Sequence, residues 1–546
     1  MGAPAITIST DGFKMARCKL ALLLIHISFC VARPSGEGIG VTATVGAPWP
    51  MPQKYATTGN MYMIDPKTFT FVATGQICDI VTAAFGRYQQ IIFSESSTTL
   101  KFQHKNIFHS EDALAVITVK VKLECDKFPS LDMDESYDLT VDASGINLNA
   151  NTVWGALRGL ETFSQIIFTR NSQFYINGTT ITDFPRFKHR GTLIDSSRHF
   201  LTITVIKQHL EAMAQNKFNV LHWHITDDQS FPYTSAAFPE MSAKGAYPGK
   251  HVYSVSDIIE VIGFARLRGI RVIPEFDSPG HTQSWGKGIP DLLTKCYSKG
   301  SFNGNYGPID PSMNTTYTFL ESFFRDIANV FPDDYVHLGG DEVPFDCWQS
   351  NPDITAFMKK MGFGTNYAKL EQYYMQNLLN IIGKQLKKGY MIWQEVIDNG
   401  ATVQSDTVVE VWKSGYMKEL AKVTKLGYKT LLSSCWYLNY ISYGDDWMKY
   451  YVCDPQQFSG TDEQKKLVIG GETCMWGEFV DSTNLISRFW PRAAAVGERL
   501  WSDQSLKDPK AAAPRIEEHR CRMVRRGFPA EPLNGPSYCA TEYVTP

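Results

Sequence analysis

The sequence has no long block of like charge, no low-complexity tract and, beyond its first 32 residues, no run that approaches 18 consecutive apolar residues. A net charge of −3 over 546 residues provides no concentrated basic face, so nucleic acid is not expected as a partner. Because no long apolar run is present, no transmembrane segment is expected. A hydrophobic content of 43% with 20% charged residues is typical of a chain that buries a core, and the length predicts two domains.

Residues 1–32 have the composition of a secretory signal peptide. Three basic side chains within residues 14–19 lead into a short apolar run over residues 20–31. The alternatives are a signal-anchor, and a true start at Met15 directly before the basic cluster. A signal peptide would route the protein into the secretory pathway, so we expect a lysosomal or secreted protein.

Residues 33–185 are predicted to form a small α+β domain. Strand-like runs lie at 68–72, 90–93, 115–121 and 137–141, and an amphipathic helix is predicted at 153–167. Pro185 breaks regular structure and marks the end of this domain.

Residues 186–546 are predicted to form a closed (β/α)8 TIM barrel with a C-terminal helical extension from Lys510. Helix-length amphipathic segments such as 256–268 and 367–387 separate eight short apolar strands, at 191–196, 219–225, 271–276, 335–339, 390–396, 408–412, 429–433 and 467–471. Alternating strands and helices indicate a parallel sheet, and eight repeats in about 300 residues fit the barrel. The alternative is an open doubly wound sheet, although no GxGxxG motif follows the first strand to support a dinucleotide site.

Nine cysteines remain once the signal peptide is removed, and an oxidising compartment would permit disulfide bonds. Proximity favours the pairs Cys78–Cys125, Cys435–Cys453 and Cys521–Cys539. Cys296–Cys347 follows if the loops after two barrel strands meet, which leaves Cys474 unpaired, although sequence alone leaves other connectivities open. Two N-glycosylation sequons begin at Asn177 and Asn314.

Polar and aromatic side chains collect at the ends of the predicted barrel strands, where loops build the active sites of such barrels. These residues are Asp195, Arg198, His222, His224, Asp227, Asp228, Asp277, His281, His337, Asp341, Glu342, Trp393, Glu395, Trp412, Tyr437, Asn439, Trp476 and Glu478. Their recurrence at successive strand ends predicts a single site at the carboxyl end of the barrel.

The segment HLGGDE, residues 337–342, contains the two adjacent carboxyls of Asp341 and Glu342. Gly339 and Gly340 allow the tight backbone geometry that projects both carboxyls from a strand end. Two neighbouring carboxylates repel, so we expect one pKa to be raised, as a general acid requires. Adjacent residues do not flank a glycosidic bond from opposite sides, which predicts one acid, one helper and a nucleophile from elsewhere. The alternative is an Asp-Glu pair that caps a helix.

HLGGDE stands in order with LIDSSRHF (193–200), LHWHITDDQSFP (221–232), PEFDSPGH (274–281), WQE (393–395) and CMWGE (474–478). This set resembles the glycoside hydrolase family 20 β-N-acetylhexosaminidases, above all their animal lysosomal members, over almost the whole chain past the signal. The resemblance implies an exo-acting, retaining hydrolase of terminal N-acetylglucosamine and N-acetylgalactosamine residues. Its mechanism would be substrate-assisted, because in this family the 2-acetamido oxygen of the sugar attacks the anomeric carbon and forms an oxazolinium ion.

Roles at the reacting centre are implied by the same resemblance. Glu342 would protonate the leaving oxygen and then activate water. Asp341 would accept the acetamido N–H and stabilise the developing positive charge, and the Tyr437 hydroxyl would position the acetamido oxygen. An aromatic box around the acetamido methyl and the sugar face would be formed by Trp393, Trp412 and Trp476.

Further residues are implied around this centre. Those expected to bind the sugar beside the box are Arg198, Asp227, Asn439 and Glu478. Asp277 and His281 would support the acid, and Tyr443 would reach a neighbouring subunit's site, which predicts a homodimer or a heterodimer with a related subunit. No cofactor is implied. No metal is expected, because no Cys or further His completes a ligand set with His222 and His224.

The chain departs from the family at Asn439-Tyr440, where the lysosomal members have Asn-Arg or Asp-Leu. The arginine used for negatively charged substrates is missing, so sulfated or sialylated substrates are not expected, and neither subunit type is assigned. Cys435 occupies a position usually taken by proline and Cys453 is also extra, which supports their pairing. The competing hypotheses are a catalytically silent glycan-binding protein and an endo-chitinase, but both acidic residues are present and no DxxDxDxE motif occurs.

Overall fold

The computed structural model describes residues 40–93, 113–171, 173–440, 442 and 444–539. The predicted signal peptide and Tyr443 lie outside the described residues. None of the helices in the described part of the chain combines the length and the apolar character that membrane crossing requires.

The amino-terminal part forms a mixed sheet whose strands follow the order β1-β7-β4-β5-β3-β2, with β6 paired to β7. Its strands are β1 Lys54–Ile64, β2 Thr70–Gly75, β3 Val116–Val121, β4 Tyr137–Asp142, β5 Gly145–Ala150, β6 Ile167–Arg170 and β7 Gln173–Asp183. Helix α1 (Asp79–Phe93) packs against helix α2 (Val153–Ile166), which contacts three central strands. Every residue of α2 is buried. On its far side Arg158 donates a hydrogen bond from Nη2 to the Gly269 carbonyl at 2.8 Å, so α2 is held between the sheet and the barrel.

The strand predicted at 90–93 is wrong, because these residues form the last turn of α1. Ile80, Ala84, Tyr88 and Ile92, spaced four residues apart, are all buried and form a helical stripe. The local run of apolar residues favoured a strand, but the longer period of the segment decides the structure.

Eight parallel strands close into a barrel in the order β10-β13-β14-β15-β16-β17-β8-β9, which confirms the predicted (β/α)8 fold. The barrel strands are β8 His189–Asp195, β9 Val220–Thr226, β10 Arg271–Phe276, β13 Tyr335–His337, β14 Gly389–Trp393, β15 Val408–Val411, β16 Lys429–Leu432 and β17 Val468–Met475. Between β10 and β13 the chain adds a hairpin of β11 (Leu293–Ser298) and β12 (Ser301–Ile309), which the sequence pattern did not predict.

Helices connect the barrel strands and extend beyond them. They are α3 Ile203–Gln215, α4 Glu240–Gly245, α5 Val255–Arg266, α6 Gln283–Gly288, α7 Asn314–Val330, α8 Asp346–Ser350, α9 Pro352–Met361, α10 Tyr367–Asn380, α11 Glu395–Asp398, α12 Tyr416–Lys425, α13 Trp447–Val452, α14 Asp462–Leu467, α15 Leu485–Phe489, α16 Arg492–Trp501 and α17 Pro509–Arg525. A π-helix, Ile381–Gln385, continues α10, and a 3-10 helix, Ser434–Trp436, precedes Tyr437.

The C-terminal helix α17 joins both parts of the molecule. Met523 is buried in the barrel core, whereas the Glu518 carboxylate accepts the backbone N–H of Gly46 at 2.7 Å and Arg526 pairs with Glu161 on α2 at 2.8 Å. Because these contacts join the segment before β1, helix α2 and the barrel core, α17 and the residue that follows it fix the two parts relative to each other.

The structure contains the four disulfide bonds expected from the sequence, Cys78–Cys125, Cys296–Cys347, Cys435–Cys453 and Cys521–Cys539. Among the described cysteines Cys474 is free, and it is buried. The bond between Cys435 and Cys453 ties the 3-10 helix before Tyr437 to the residue that follows α13.

Candidate active site

The backbone after β13 makes a tight turn that presents the two adjacent carboxyls. Gly339, Gly340 and Glu342 all have positive φ angles, of 65°, 94° and 49°. A Cβ atom on Gly339 would lie 1.7 Å from Oδ1 of Asp277, so only glycine fits there. The same close approach lets Asp277 accept the backbone N–H of Gly340 at 2.8 Å. Asp277 therefore supports the turn that carries Asp341 and Glu342.

His281 lies at the centre of the acidic cluster. Its Nδ1 donates to Oδ1 of Asp227 at 3.2 Å, and its Nε2 lies 4.0 Å from Asp277, 3.9 Å from Asp341 and 3.8 Å from Glu342. Burial alone would lower the imidazole pKa, but the hydrogen bond to Asp227 and the surrounding carboxylates outweigh it and raise the pKa to about 11. His281 is therefore an imidazolium at neutral pH.

The raised carboxyl pKa that the acidic pair predicted is found on Asp341, at about 6. Its first cause is burial, opposed by the charge of His281, so the cause is not the repulsion between neighbours that the sequence suggested. Oδ1 of Asp341 is buried without a hydrogen-bond partner, whereas the Glu342 side chain is 59% exposed. The two carboxyls thus occupy different environments, one enclosed and one open to an incoming group.

Arg198 lies at the opposite edge of the cluster. Its guanidinium pairs with Asp227 at 2.8 Å and with Asp195 at 3.1 Å, and it stacks over the Trp476 ring at 5.1 Å from the ring centroid. Asp195 also accepts the backbone N–H of Gly477 at 2.9 Å, which links the ends of β8 and β17. These contacts hold the Arg198 guanidinium beside the Trp476 ring.

Four aromatic side chains line the remaining side of the site and together form what we call the aromatic wall. They are Trp393, Trp412, Tyr437 and Trp476. Ring centroids of successive pairs lie 6.2 to 6.5 Å apart, and Trp412 stacks on Tyr437 at 21°. The indole N–H of Trp412 donates to Glu395 at 2.8 Å, which fixes the orientation of this ring. The arrangement leaves apolar ring faces beside the carboxyl cluster, a surface suited to a sugar ring or a methyl group.

Two predicted substrate-binding residues, Glu478 and Asn439, make fewer contacts with the rest of the site. Glu478 is exposed and acts on the cluster through its charge, as one cause of the raised pKa of Arg198. Oδ1 of Asn439 is buried without a hydrogen-bond partner, and its backbone carbonyl accepts a hydrogen bond from Arg488 at 3.4 Å. Its neighbour Tyr440 is 61% exposed and stacks on Tyr437.

Three glutamates that the sequence analysis did not single out lie inside the barrel beneath the site, Glu275, Glu410 and Glu472, and all three are fully buried. A signal was present, since each is a charged residue in the middle of a short apolar strand and must point either into the barrel or into its packed outer face. Glu275 bonds directly to Trp393, which makes it part of the support of the site.

In the described part of the chain, carboxylate and imidazole atoms come within 4.8 Å of one another in three groups, His222–His337–Glu410, Asp227–Asp228–His281 and Asp277–His281–Asp341. The last two groups share His281, whose Nδ1 hydrogen is already committed to Asp227. In the first group, both nitrogens of His222 are bonded to other carboxylates. Hydrogen bonds to carboxylates therefore explain why His222 and His281 lie in these groups.

Comparison with known proteins agrees with this geometry. Residues 187–504 match the catalytic domain of glycosyl hydrolase family 20, and residues 48–166 match the model described as beta-acetyl hexosaminidase like. The β-hexosaminidase subunit beta of Homo sapiens is 50% identical over 531 residues, 95% of this chain and 94% of its own length. Subunit alpha of Bos taurus is 50% identical over 507 residues, 91% of this chain and 95% of its own length.

Solved structures give the same result. A chitobiase from Flavobacterium johnsoniae superposes with a TM-score of 0.78 at 30% identity, covering 89% of this chain and 73% of the chitobiase. The chain belongs to glycosyl hydrolase family 20 and is a glycoside hydrolase of the β-N-acetylhexosaminidase type.

Proposed function

We propose that the protein is an exo-acting enzyme that removes terminal, non-reducing N-acetylglucosamine and N-acetylgalactosamine residues from glycoconjugates or chitooligosaccharides. The reaction would retain the anomeric configuration, with the acetamido oxygen of the substrate as the nucleophile. The curated relatives are named β-hexosaminidase subunits, which supports the substrate class.

The observation that carries this proposal is the pairing of two adjacent carboxyls with an aromatic wall. Asp341 and Glu342 leave the same strand end, whereas glycosidases that use two carboxylates place them roughly 5 to 9.5 Å apart on opposite sides of the bond. The other described side of the site is formed by the four aromatic rings, which carry no carboxylate to act as the second acid of a two-carboxylate glycosidase but confine a small group closely. This arrangement supports attack by a group that belongs to the sugar.

In the first step the acetamido oxygen would form a bond to the anomeric carbon while the glycosidic C–O bond breaks. Glu342 would give its proton to the leaving oxygen, which suits its open position. In the second step the Glu342 carboxylate would take a proton from water, whose oxygen attacks the anomeric carbon and opens the oxazolinium ring. The His281 cation, 3.8 Å from Glu342 and bonded to Asp227, would stabilise that carboxylate between the two steps.

Asp341 would accept the acetamido N–H through its buried, unpartnered Oδ1 and balance the positive charge of the oxazolinium. The hydroxyl of Tyr437 would donate to the acetamido oxygen. Trp393, Trp412 and Trp476 would enclose the methyl group and the sugar face, so that the oxygen is held near the carbon it attacks.

At the edge of the aromatic wall, sugar hydroxyls would be bound by Arg198, Asp227, Asn439 and Glu478. The fixed pair of Arg198 and Asp227, at 2.8 Å, supports this assignment, because it offers both donors and acceptors at the edge of the wall. Hydroxyls bound there would admit only a terminal sugar, which makes the enzyme exo-acting.

The four disulfide bonds and the exposed residue Asn314, which begins the second sequon, support a secretory route to the lysosome or the exterior, with residues 1–32 as a signal peptide. Asn177 lies in β7 and is half-buried, so Asn314 is the better acceptor for glycosylation.

We also propose that the chain has two domains, at residues 33–185 and 186–546. The relatives are named as subunits, which supports a homodimer or a heterodimer with a related subunit.

Paired chromogenic substrates test the specificity of this proposal. We expect turnover of N-acetylglucosaminides and N-acetylgalactosaminides but at least about 10-fold lower kcat/KM for the 6-sulfated N-acetylglucosaminide, because Tyr440 offers no cation where a sulfate would bind. Tyr440→Arg should raise the sulfated-to-unsulfated ratio, and Tyr440→Phe, its matched control, should leave the ratio unchanged. Efficient wild-type turnover of the sulfated substrate would contradict this reading of Tyr440.

A further inference from the structure

Glu275, on the inner face of β10, lies directly beneath the site and is fully buried. Its carboxylate accepts three hydrogen bonds from ring N–H groups. Oε1 accepts from the indole of Trp393 at 2.8 Å, and Oε2 accepts from His222 at 3.0 Å and from His224 at 2.6 Å. A carboxylate is acceptor-only, so it matches three converging donors that an amide could not all satisfy.

The charges of Glu275 and His224 are consistent with these hydrogen bonds. Burial would raise the pKa of Glu275, but the neighbouring imidazoles hold it well below its ordinary value. Burial likewise opposes the charge on His224, whereas Glu275 and Asp227, one at each ring nitrogen, raise the pKa of His224 to about 10. Glu275 is therefore an anion and His224 a cation.

Two sides of the proposed site depend on this carboxylate. The first side is the aromatic wall, which Glu275 contacts directly through its hydrogen bond to Trp393. The second side is the pair of Arg198 and Asp227, which Glu275 reaches through His224. Nε2 of His224 donates to Asp227 at 2.7 Å, and Asp227 in turn pairs with Arg198. On the basis of the proposed function, we infer that Glu275 is a positioning residue, which sets the aromatic wall and the hydroxyl-binding pair from a single buried anion.

Glu410, on β15, provides a matched control inside the same barrel. It is also fully buried, but it accepts a hydrogen bond from none of these rings, since Oε2 lies 3.7 Å from His337 and 3.9 Å from His222. Burial raises the pKa of Glu410 well above its ordinary value and so favours the protonated acid, which glutamine resembles in shape and charge.

The test compares Glu275→Gln with Glu410→Gln in the full chain. We expect Glu275→Gln to lower kcat/KM by about 100-fold, with both a lower kcat and a higher KM, because a displacement of about 1 Å in the site is enough for such a loss. Glu410→Gln should stay within about threefold of the wild type, a ratio that corresponds to less than 1 kcal/mol. A purely structural defect would reduce the amount of active enzyme and leave KM unchanged.

The pH profile provides a second readout. Without the Glu275 anion the pKa of His224 falls, so His224 loses its proton as the pH rises and Asp227 loses a cationic partner. Activity of Glu275→Gln should therefore decline with rising pH in a range where the wild type is flat. Glu275→Asp, which retains the buried charge, should restore the wild-type profile while its shorter side chain keeps KM raised.

If Glu275→Gln does not fold, the raised KM and normal pH profile of Glu275→Asp carry the test. The inference is overturned if Glu275→Gln behaves like Glu410→Gln, or if KM and the pH profile of both Glu275 variants equal those of the wild type. Failure of the proposed function looks different, since the wild-type protein would then release no N-acetylhexosamine.

Discussion

Glu342→Gln is expected to lower kcat for a substrate with a poor leaving group by roughly 10³-fold, with little change in KM. Glutamine keeps the shape of the side chain but carries no proton for the leaving oxygen. The loss of kcat/KM, which reports the first step alone, should be smaller for a dinitrophenyl leaving group, because this group departs without protonation. Steady-state kinetics with both leaving groups measure the difference.

Asp346→Asn is the control for this variant. Asp346 is an exposed acid at the start of α8, four residues beyond Glu342, and its substitution should leave both rates at the wild-type level. If Glu342→Gln retains the wild-type rate with the poor leaving group, Glu342 is not the acid. Equal losses of kcat/KM with both leaving groups would likewise contradict its role in protonating the departing oxygen.

Asp341→Asn is the second substitution with a large expected effect, a decrease in kcat of roughly 10²- to 10³-fold. Asparagine can still accept the acetamido N–H, but it supplies no negative charge beside the oxazolinium. Because the charge matters only once the ring forms, KM should change much less than kcat. Kinetics with one substrate over a range of concentrations separate the two constants.

The stability of Asp341→Asn shows whether the variant has lost its charge or its fold. Burial raises the pKa of Asp341 to about 6, so the folded protein binds this proton more tightly than the unfolded chain does. The carboxyl therefore costs stability once the pH rises above the unfolded pKa, and the cost is complete above about pH 6. Asp341→Asn should raise the melting temperature at pH 7 and change it little at pH 3. A lower melting temperature at pH 7 would contradict the buried-carboxylate description.

The barrel and its polar end were predictable from sequence because both follow from local patterns. Each barrel strand is a short apolar run, and the loops after them carry residues such as Arg198 and Trp476, whose position at a strand end already predicts the site. The turn at 339–342 was equally readable, since adjacent glycines before two carboxyls indicate an unusual backbone.

What was missed depends on contacts between distant strands. Glu275 and Glu410 each place a charge within an apolar strand, but their partners lie on other strands, so the sequence does not show what they contact. The burial of Asp341 and the central position of His281 among four carboxyls likewise arise only when the barrel closes. Sequence motifs thus identified the residues proposed to contact the substrate, while the residues that hold them required the folded structure.

The most direct test of the whole account is the ratio of kcat/KM for an aryl β-N-acetylglucosaminide to that for the same aryl β-glucoside, which carries a hydroxyl in place of the acetamido group. A held intramolecular nucleophile is worth about 7 to 11 kcal/mol, so the glucoside should be cleaved at least about 10⁵-fold less efficiently. Cleavage of the glucoside within about 10-fold of the N-acetylglucosaminide would mean that the protein supplies the nucleophile. The substrate-assisted mechanism would then be wrong.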